Sequence, residues 1–273
     1  MNCTQKLLQK KIKLKQLKWD LDIILPLNYK LPKYYTDSID PNRHQNFTCL
    51  LSRDVYSEGD SQPLYDYLFN QSKEYTVEFQ EFLSLWIEDE IKHYQALRRV
   101  YKLISKIKDS EIDKSFNIRN HEIEPLKFIF KDEFTILVSF LFDELGSTIS
   151  YRRDLREYYS HYGPRIQRIA KYLVMDEGMH FQNASQVIKQ NHYKRIYEIP
   201  IILEMVSSLE RSLGRYCKTF FLDHAQEQDR FPCNFNDLII EIILAHFNLG
   251  PYPKNADLLW QSRVTNKDFT PCI

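Results

Sequence analysis

Glycine is scarce, with six residues in 273. Alternating apolar and polar runs are almost missing too, which excludes the turn-rich β-sandwich and β-barrel folds. Cysteine is present but never paired in sequence. Cys3, Cys49, Cys217, Cys233 and Cys272 are odd in number and scattered, with no C-x-x-C. That argues against a disulfide framework or a zinc knuckle and fits a reducing cytoplasm. Long hydrophobic runs are lacking as well. The longest largely apolar stretch, Ile136–Phe142, is too short to cross a bilayer. Lysines interrupt the first apolar residues, so no signal peptide is read there. Nor is there an excess of charge. Lys+Arg and Asp+Glu are equal at 37 each, which removes any global field toward nucleic acid or an acidic membrane. The expectation is a soluble cytoplasmic protein with neither nucleic acid nor membrane as partner.

What the chain does have is apolar mass at helical spacing. Hydrophobic residues make up 43% and aromatics 14%, enough for a folded core. Long stretches of 3.6-residue period give an all-α reading. Six lysines fall within the first eighteen residues. They read as the wet face of a basic amphipathic helix, Gln5–Asp22, with a docking patch for an acidic partner as the alternative. Pro26–Pro41 reads as an extended connector. A helix from near Asn46 is expected to break at Pro63 and continue to about Phe69. The next spans roughly Lys73–Ile107, and Asp109–Pro125 is a polar connector. A third long helix covers about Lys127–Tyr162, stopped by Gly163-Pro164, and a fourth runs from Pro164 to about His192. Two more follow near Ile196–Phe221 and Phe235–Leu249. Four long helices with a longer central connection match a ferritin-like four-helix bundle with additional N- and C-terminal helices. The expected organisation is a single domain over 1–273, with a metal-binding core at about 46–192 and C-terminal helices at about 196–249.

The chemistry-bearing feature is a repeated pair. Asp176-Glu177-Gly178-Met179-His180 recurs 87 residues earlier as Asp89-Glu90-Ile91-Lys92-His93. Glu and His three apart share a helix face and suit two ligands of one iron or manganese ion. Of eight histidines, only His93 and His180 have Glu at that position. Each pair also follows an upstream glutamate at nearly the same distance. Glu144 stands 33 residues before Glu177 and Glu58 stands 32 before Glu90. Glu144 lies among apolar Leu137, Phe140 and Leu141, where an unpaired carboxylate is costly. Asp54 and Asp60 compete with Glu58 for the first-helix position. Two carboxylates on two helices and Glu-x-x-His on two others is the di-metal carboxylate pattern. Asp89 and Asp176 sit about 100° round the helix from their neighbouring glutamates. Each reads as the acceptor of the free imidazole N–H of the opposite pair's histidine, with a solvated helix acid as the alternative. Gly146 and Gly178 are read as leaving space beside the metals, as allowing a local helix bulge, or as close packing.

These residues resemble the soluble acyl-acyl-carrier-protein desaturases. Glu144 with Ser147 and Thr148, followed by Asp176-Glu177-x-x-His180, is similar to the family's second half. Trp86, Asp89, Glu90 and His93 match its Trp-x-x-acid-Glu-x-x-His motif. Pro63-Leu64-Tyr65 resembles the Pro-x-Tyr segment after the first-helix ligand. Glu58 lies five residues before the proline where the family has four. The resemblance covers about Asn46–Gln190. It implies a ferritin-like core with two iron ions, a manganese–iron pair being the alternative, held by Glu58, Glu90, His93, Glu144, Glu177 and His180. It also implies a catalytic role for Ser147 near the dioxygen site, an outer role for Trp86, a ferredoxin-type electron donor and a homodimer. The p-aminobenzoate N-oxygenases are similar but add a histidine one turn before the fourth-helix glutamate, where this chain has Leu173.

The expected activity is oxygen-dependent oxidation of an unactivated C–H bond, desaturase-like, on an acyl chain carried by acyl carrier protein. The alternative is hydroxylation or N-oxygenation of a small-molecule or carrier-tethered intermediate. Leu137, Phe140, Leu141, Leu173, Val174 and Phe181 are candidate pocket walls, core packing being the competing account. A non-catalytic ferritin-like iron-binding protein is the reading from another class.

Overall fold

The computed structural model describes residues 13–71, 74–214, 220–222, 231 and 234–260. Every regular element among them is helical. In order they are α1 (Leu21–Ile24), α2 (Lys33–Asp37), α3 (Pro41–Gly59), α4 (Ser61–Phe69), α5 (Val77–Ser105), α6 (Asp109–Asn117), α7 (Glu133–Glu157), α8 (Pro164–Asn191), α9 (Ile199–Leu213) and α10 (Phe235–His246).

Local chemistry sets the boundaries. Helix α3 starts at Pro41, ahead of the expected Asn46. Asp40 accepts the Arg43 N–H at 3.0 Å, and Pro41 takes the first helical position, where its missing N–H costs nothing. The break between α3 and α4 falls at Asp60 rather than at Pro63. Pro63 sits in the first turn of α4, whose amides have no intrahelical acceptor to lose. Thr76 caps α5 and Asp132 caps α7, the latter accepting from the Thr135 N–H at 2.8 Å. Helix α7 is shorter than the expected Lys127–Tyr162 and passes into a 3-10 turn, Tyr159–Tyr162. Gly163 then takes φ 91°, and a Cβ there would lie 2.6 Å from the Tyr35 ring, so only glycine fits the corner before Pro164 opens α8.

Three expectations need correction. Residues 13–20 are not helical, against the expected helix Gln5–Asp22, whose first part lies outside the described residues. The Asn183 amide holds both backbone groups of Lys15, accepting its N–H at 2.9 Å and donating to its carbonyl at 2.7 Å. A helix would have committed those groups internally. The expected connector Asp109–Pro125 contains α6, where Glu111 accepts the Lys108 N–H and Ile112 is buried. Within the expected Ile196–Phe221 helix, α9 begins only at Ile199 and ends at Leu213; residues 215–219 lie outside the described ones.

Helix α3 packs along α5, α7 along α8, and α5 against α8; α9 and α10 cover α7. The core is two apolar clusters. One joins Phe79–Ile87 of α5, Phe134–Phe142 of α7, Phe181–Ile188 of α8, and α9 with α10. The other joins Phe47–Tyr56 of α3, Ala96–Ile104 of α5 and Ile166–Leu173 of α8. On α5 the residues between the clusters include Asp89, Glu90 and His93; on α8 they include Asp176, Glu177 and His180. A buried polar layer therefore lies across the middle of four helices. No helix among the described residues is long and apolar enough to cross a membrane.

Candidate metal centre

Four helices contribute to this layer: Glu58 from α3, Glu90 and His93 from α5, Glu144 from α7, and Glu177 and His180 from α8. All six are buried, none more than 4% exposed. They form two overlapping quartets, Glu58–Glu90–His93–Glu177 and Glu90–Glu144–Glu177–His180, each with ligand atoms within 4.8 Å of one another. These groups could hold a metal ion.

The distances give the quartets a pseudo-symmetric plan. His93 Nδ1 lies 3.2 Å from Glu90 Oε2, 3.3 Å from Glu177 Oε1 and 3.8 Å from Glu58 Oε2. His180 Nδ1 lies 3.2 Å from Glu90 Oε1, 3.7 Å from Glu177 Oε2 and 3.1 Å from Glu144 Oε2. Glu90 and Glu177 thus turn one oxygen toward each histidine, while Glu58 and Glu144 stand at opposite ends. Asp54 and Asp60, the rivals of Glu58, face elsewhere: Asp54 pairs with Arg53, and Asp60 with Arg119 and His121.

The chemistry of the donor set fits cations. Both oxygens of Glu90, both of Glu177, Glu58 Oε2, Glu144 Oε1 and His93 Nδ1 are buried without a hydrogen-bond partner among the described residues. Four carboxylates packed into apolar surroundings are expensive unless positive charge meets them. The pKa directions express the same stress. Burial, then the neighbouring Glu90, pushes the Glu58 carboxyl well up from 4.5, and burial does the same to Glu144. Burial also opposes ionisation of Glu90 and Glu177, but the surrounding imidazoles hold both below that value. Burial alone would lower the histidines; the carboxylates around them, Glu90 first for His93 and Glu144 first for His180, push both well above 6.5. Without a cation, protons held on the two imidazoles and on Glu58 and Glu144 would balance the charge of the cluster.

Outside this ring, His93 Nε2 lies 3.2 Å from Asp176 Oδ2 and His180 Nε2 lies 3.3 Å from Asp89 Oδ2. Each aspartate therefore faces the histidine of the opposite helix. Such partners fix which ring nitrogen is free to ligate.

Trp86 takes a different place from the expected one. It is fully buried in the apolar cluster, edge-on to Phe140 at 5.1 Å and to Phe220 at 5.2 Å, and its Nε1 has no hydrogen-bond partner among the described residues. The indole that meets an outer aspartate is Trp19, whose Nε1 donates to Asp176 Oδ2 at 2.7 Å.

Ser147 lines a cavity of about 20 Å3 that also touches Glu58, Asp54, Asp143, Ser150 and Tyr151. That is room for about one water molecule. None of the six apolar residues read as pocket walls lines it. Leu137, Phe140, Leu141 and Phe181 belong to one apolar cluster, and Leu173 with Val174 to the other. No helix bulge accompanies the two glycines, since α7 and α8 run unbroken through Gly146 and Gly178. A Cβ at Gly178 would meet nothing nearer than Thr148 at 4.0 Å.

Tyr151 was not singled out from the sequence. Its buried hydroxyl donates to Glu58 Oε1, and burial followed by the Glu58 carboxylate pushes the phenol well up, so it stays a donor. Tyr151→Phe leaves that oxygen buried and unpaired, which costs the metal-free protein about 1–3 kcal/mol. Chemical denaturation measures the loss.

No protein-family model, no curated protein and no solved structure matches the chain.

Proposed function

We propose that the protein is an oxygen-dependent di-iron oxidoreductase with a ferritin-like metal core. One observation carries the reading: Glu90 and Glu177 each aim one oxygen at either histidine's ligating nitrogen. Glu90 and Glu177 would be shared between two ions, with Glu58 and His93 holding one and Glu144 and His180 the other. A donor set of carboxylates and imidazoles suits iron or manganese better than softer metals. Two bound irons would supply the redox equivalents for attacking an unactivated C–H bond with dioxygen. The residues' own work would be to hold the pair, with Asp89 and Asp176 orienting the two imidazoles. The apolar clusters above and below shield the layer from bulk solvent.

The proposed substrate is an acyl chain carried by acyl carrier protein, the alternative being hydroxylation or N-oxygenation of a small-molecule or carrier-tethered intermediate. The cavity beside Glu58 and Ser147, with room for about one water molecule, is not itself the substrate site. A ferredoxin-type protein is the proposed source of electrons.

Anaerobic loading with Fe(II), followed by elemental analysis and an optical spectrum before and after oxygen, tests the proposal. The expected result is about two irons per chain and a new near-ultraviolet band on oxygen exposure. Less than about one iron or manganese per chain after loading sinks it.

A further inference from the structure

The extended segment 13–20 has no part in the ligand set, yet it reaches both halves of it. Gln16 Nε2 donates to Asp89 Oδ1 at 3.1 Å, and Asp89 faces His180. Trp19 Nε1 donates to Asp176 Oδ2 at 2.7 Å, and Asp176 faces His93. Just before these two arms the Asn183 amide grips the Lys15 backbone through both of its hydrogen-bonding groups. The Trp19 ring stacks on Tyr172 at 5.1 Å, and Lys92 Nζ sits 5.1 Å over it while donating to Asp89 Oδ1.

We infer that residues 13–20 form a strap belonging to the metal centre, so that docking of the strap and binding of metal are linked equilibria. The argument is one of donors. Asp176 is fully buried, and its Oδ1 has no partner among the described residues. Without Trp19 its remaining contact is His93, and nothing then holds the carboxylate at the angle that aims His93 Nδ1 inward. Asp89 keeps Lys92 when Gln16 leaves, so the Trp19 arm is the stronger of the two. Partners in this outer position change metal affinity by about 10–100-fold. Linkage is reciprocal: if a docked strap tightens metal binding, bound metal holds the strap down by the same factor.

The inference rests on the metal reading above, and its test separates the two. The probe is Mn(II) with the full chain, in two measurements: the dissociation constant, and the rate of tryptic cleavage after Lys13, Lys15 and Lys18 mapped by mass spectrometry. These lysines are exposed, but a docked backbone resists the protease. Saturating Mn(II) is expected to slow cleavage there about tenfold, and Trp19→Phe to weaken Mn(II) about tenfold. Asn183→Leu is expected to weaken it too, although Asn183 contacts neither aspartate. Lys15→Pro, which deletes one backbone N–H in an exposed stretch, replaces it if the leucine variant does not fold. Failure of the wild type to bind Mn(II) overturns both readings. Binding with cleavage unaffected by metal, or with affinity unchanged in Trp19→Phe and in Asn183→Leu or Lys15→Pro, overturns the strap alone.

Discussion

Glu177→Gln is expected to cost the protein both metal ions, while Glu144→Gln costs it one. The two side chains are only one helix apart and equally buried, so burial does not distinguish them. Membership does. Glu177 belongs to both quartets, whereas Glu144 belongs only to the one around His180. An amide at position 177 preserves volume and packing but removes the charge shared between two cations. Bound metal then falls from about two ions per chain to below one. An amide at position 144 leaves Glu58, Glu90, His93 and Glu177 intact, so about one ion is retained. Glu90→Gln behaves like Glu177→Gln, and Glu58→Gln mirrors Glu144→Gln. Elemental analysis of the four variants, each first checked for helical content, reads the pattern. Equal losses in all four would overturn the division into shared and terminal carboxylates.

That division illustrates which parts of the centre the sequence could reveal. Glu and His at i and i+3 declare themselves because helix geometry alone brings them to one face. Glu144 was legible for a similar reason, as an acid on an apolar face. Asp89 and Asp176 followed from their angular offset. The all-α character was equally plain from the period of the apolar residues, and the structure is helical throughout its described regular elements. The contacts that escaped are those made across long stretches of chain. Tyr151 meets Glu58 over 93 positions, and Trp19 meets Asp176 over 157. Nothing local to either residue announces its partner. Trp86 drew attention instead because it stands in a recognisable motif, whereas its surroundings are aromatic rings. Segment 13–20 was misread because lysines spaced one to four residues apart imitate the wet face of a helix. The Asn183 amide, supplied from α8, shows where the backbone groups of Lys15 go.

Metal loading is expected to remove the fall of stability with rising pH, and this is the largest thermodynamic effect foreseen. In the metal-free protein His93 and His180 have pKa values raised well above 6.5, with burial opposing and the carboxylates around them prevailing. A raised value means that the stabilisation is complete below the unfolded value, near 6.5, and is lost as pH rises through the folded one. Glu58 and Glu144, raised by burial, add a loss of the same sign that begins above 4.5. Glu90 and Glu177 are lowered, so their contribution is present above 4.5 and disappears only as pH falls further. The metal-free protein therefore weakens from near-neutral to alkaline pH. Metal binding needs the four carboxylates ionised and both imidazoles neutral, so loading expels the retained protons and strengthens as pH rises. At free metal about 1,000-fold above the dissociation constant, the loaded form gains about 4 kcal/mol. Thermal denaturation between pH 6 and pH 9 should show stability falling with pH without Mn(II), and with it rising to a plateau well above pH 6.5, where neither the loaded nor the unfolded chain holds the imidazole protons. Proton release on loading, followed by calorimetry in buffers of different ionisation enthalpy, supplies the independent count. Parallel slopes and no released protons would mean that His93, His180, Glu58 and Glu144 do not exchange protons for metal. The charge in the polar layer would then be balanced in some other way.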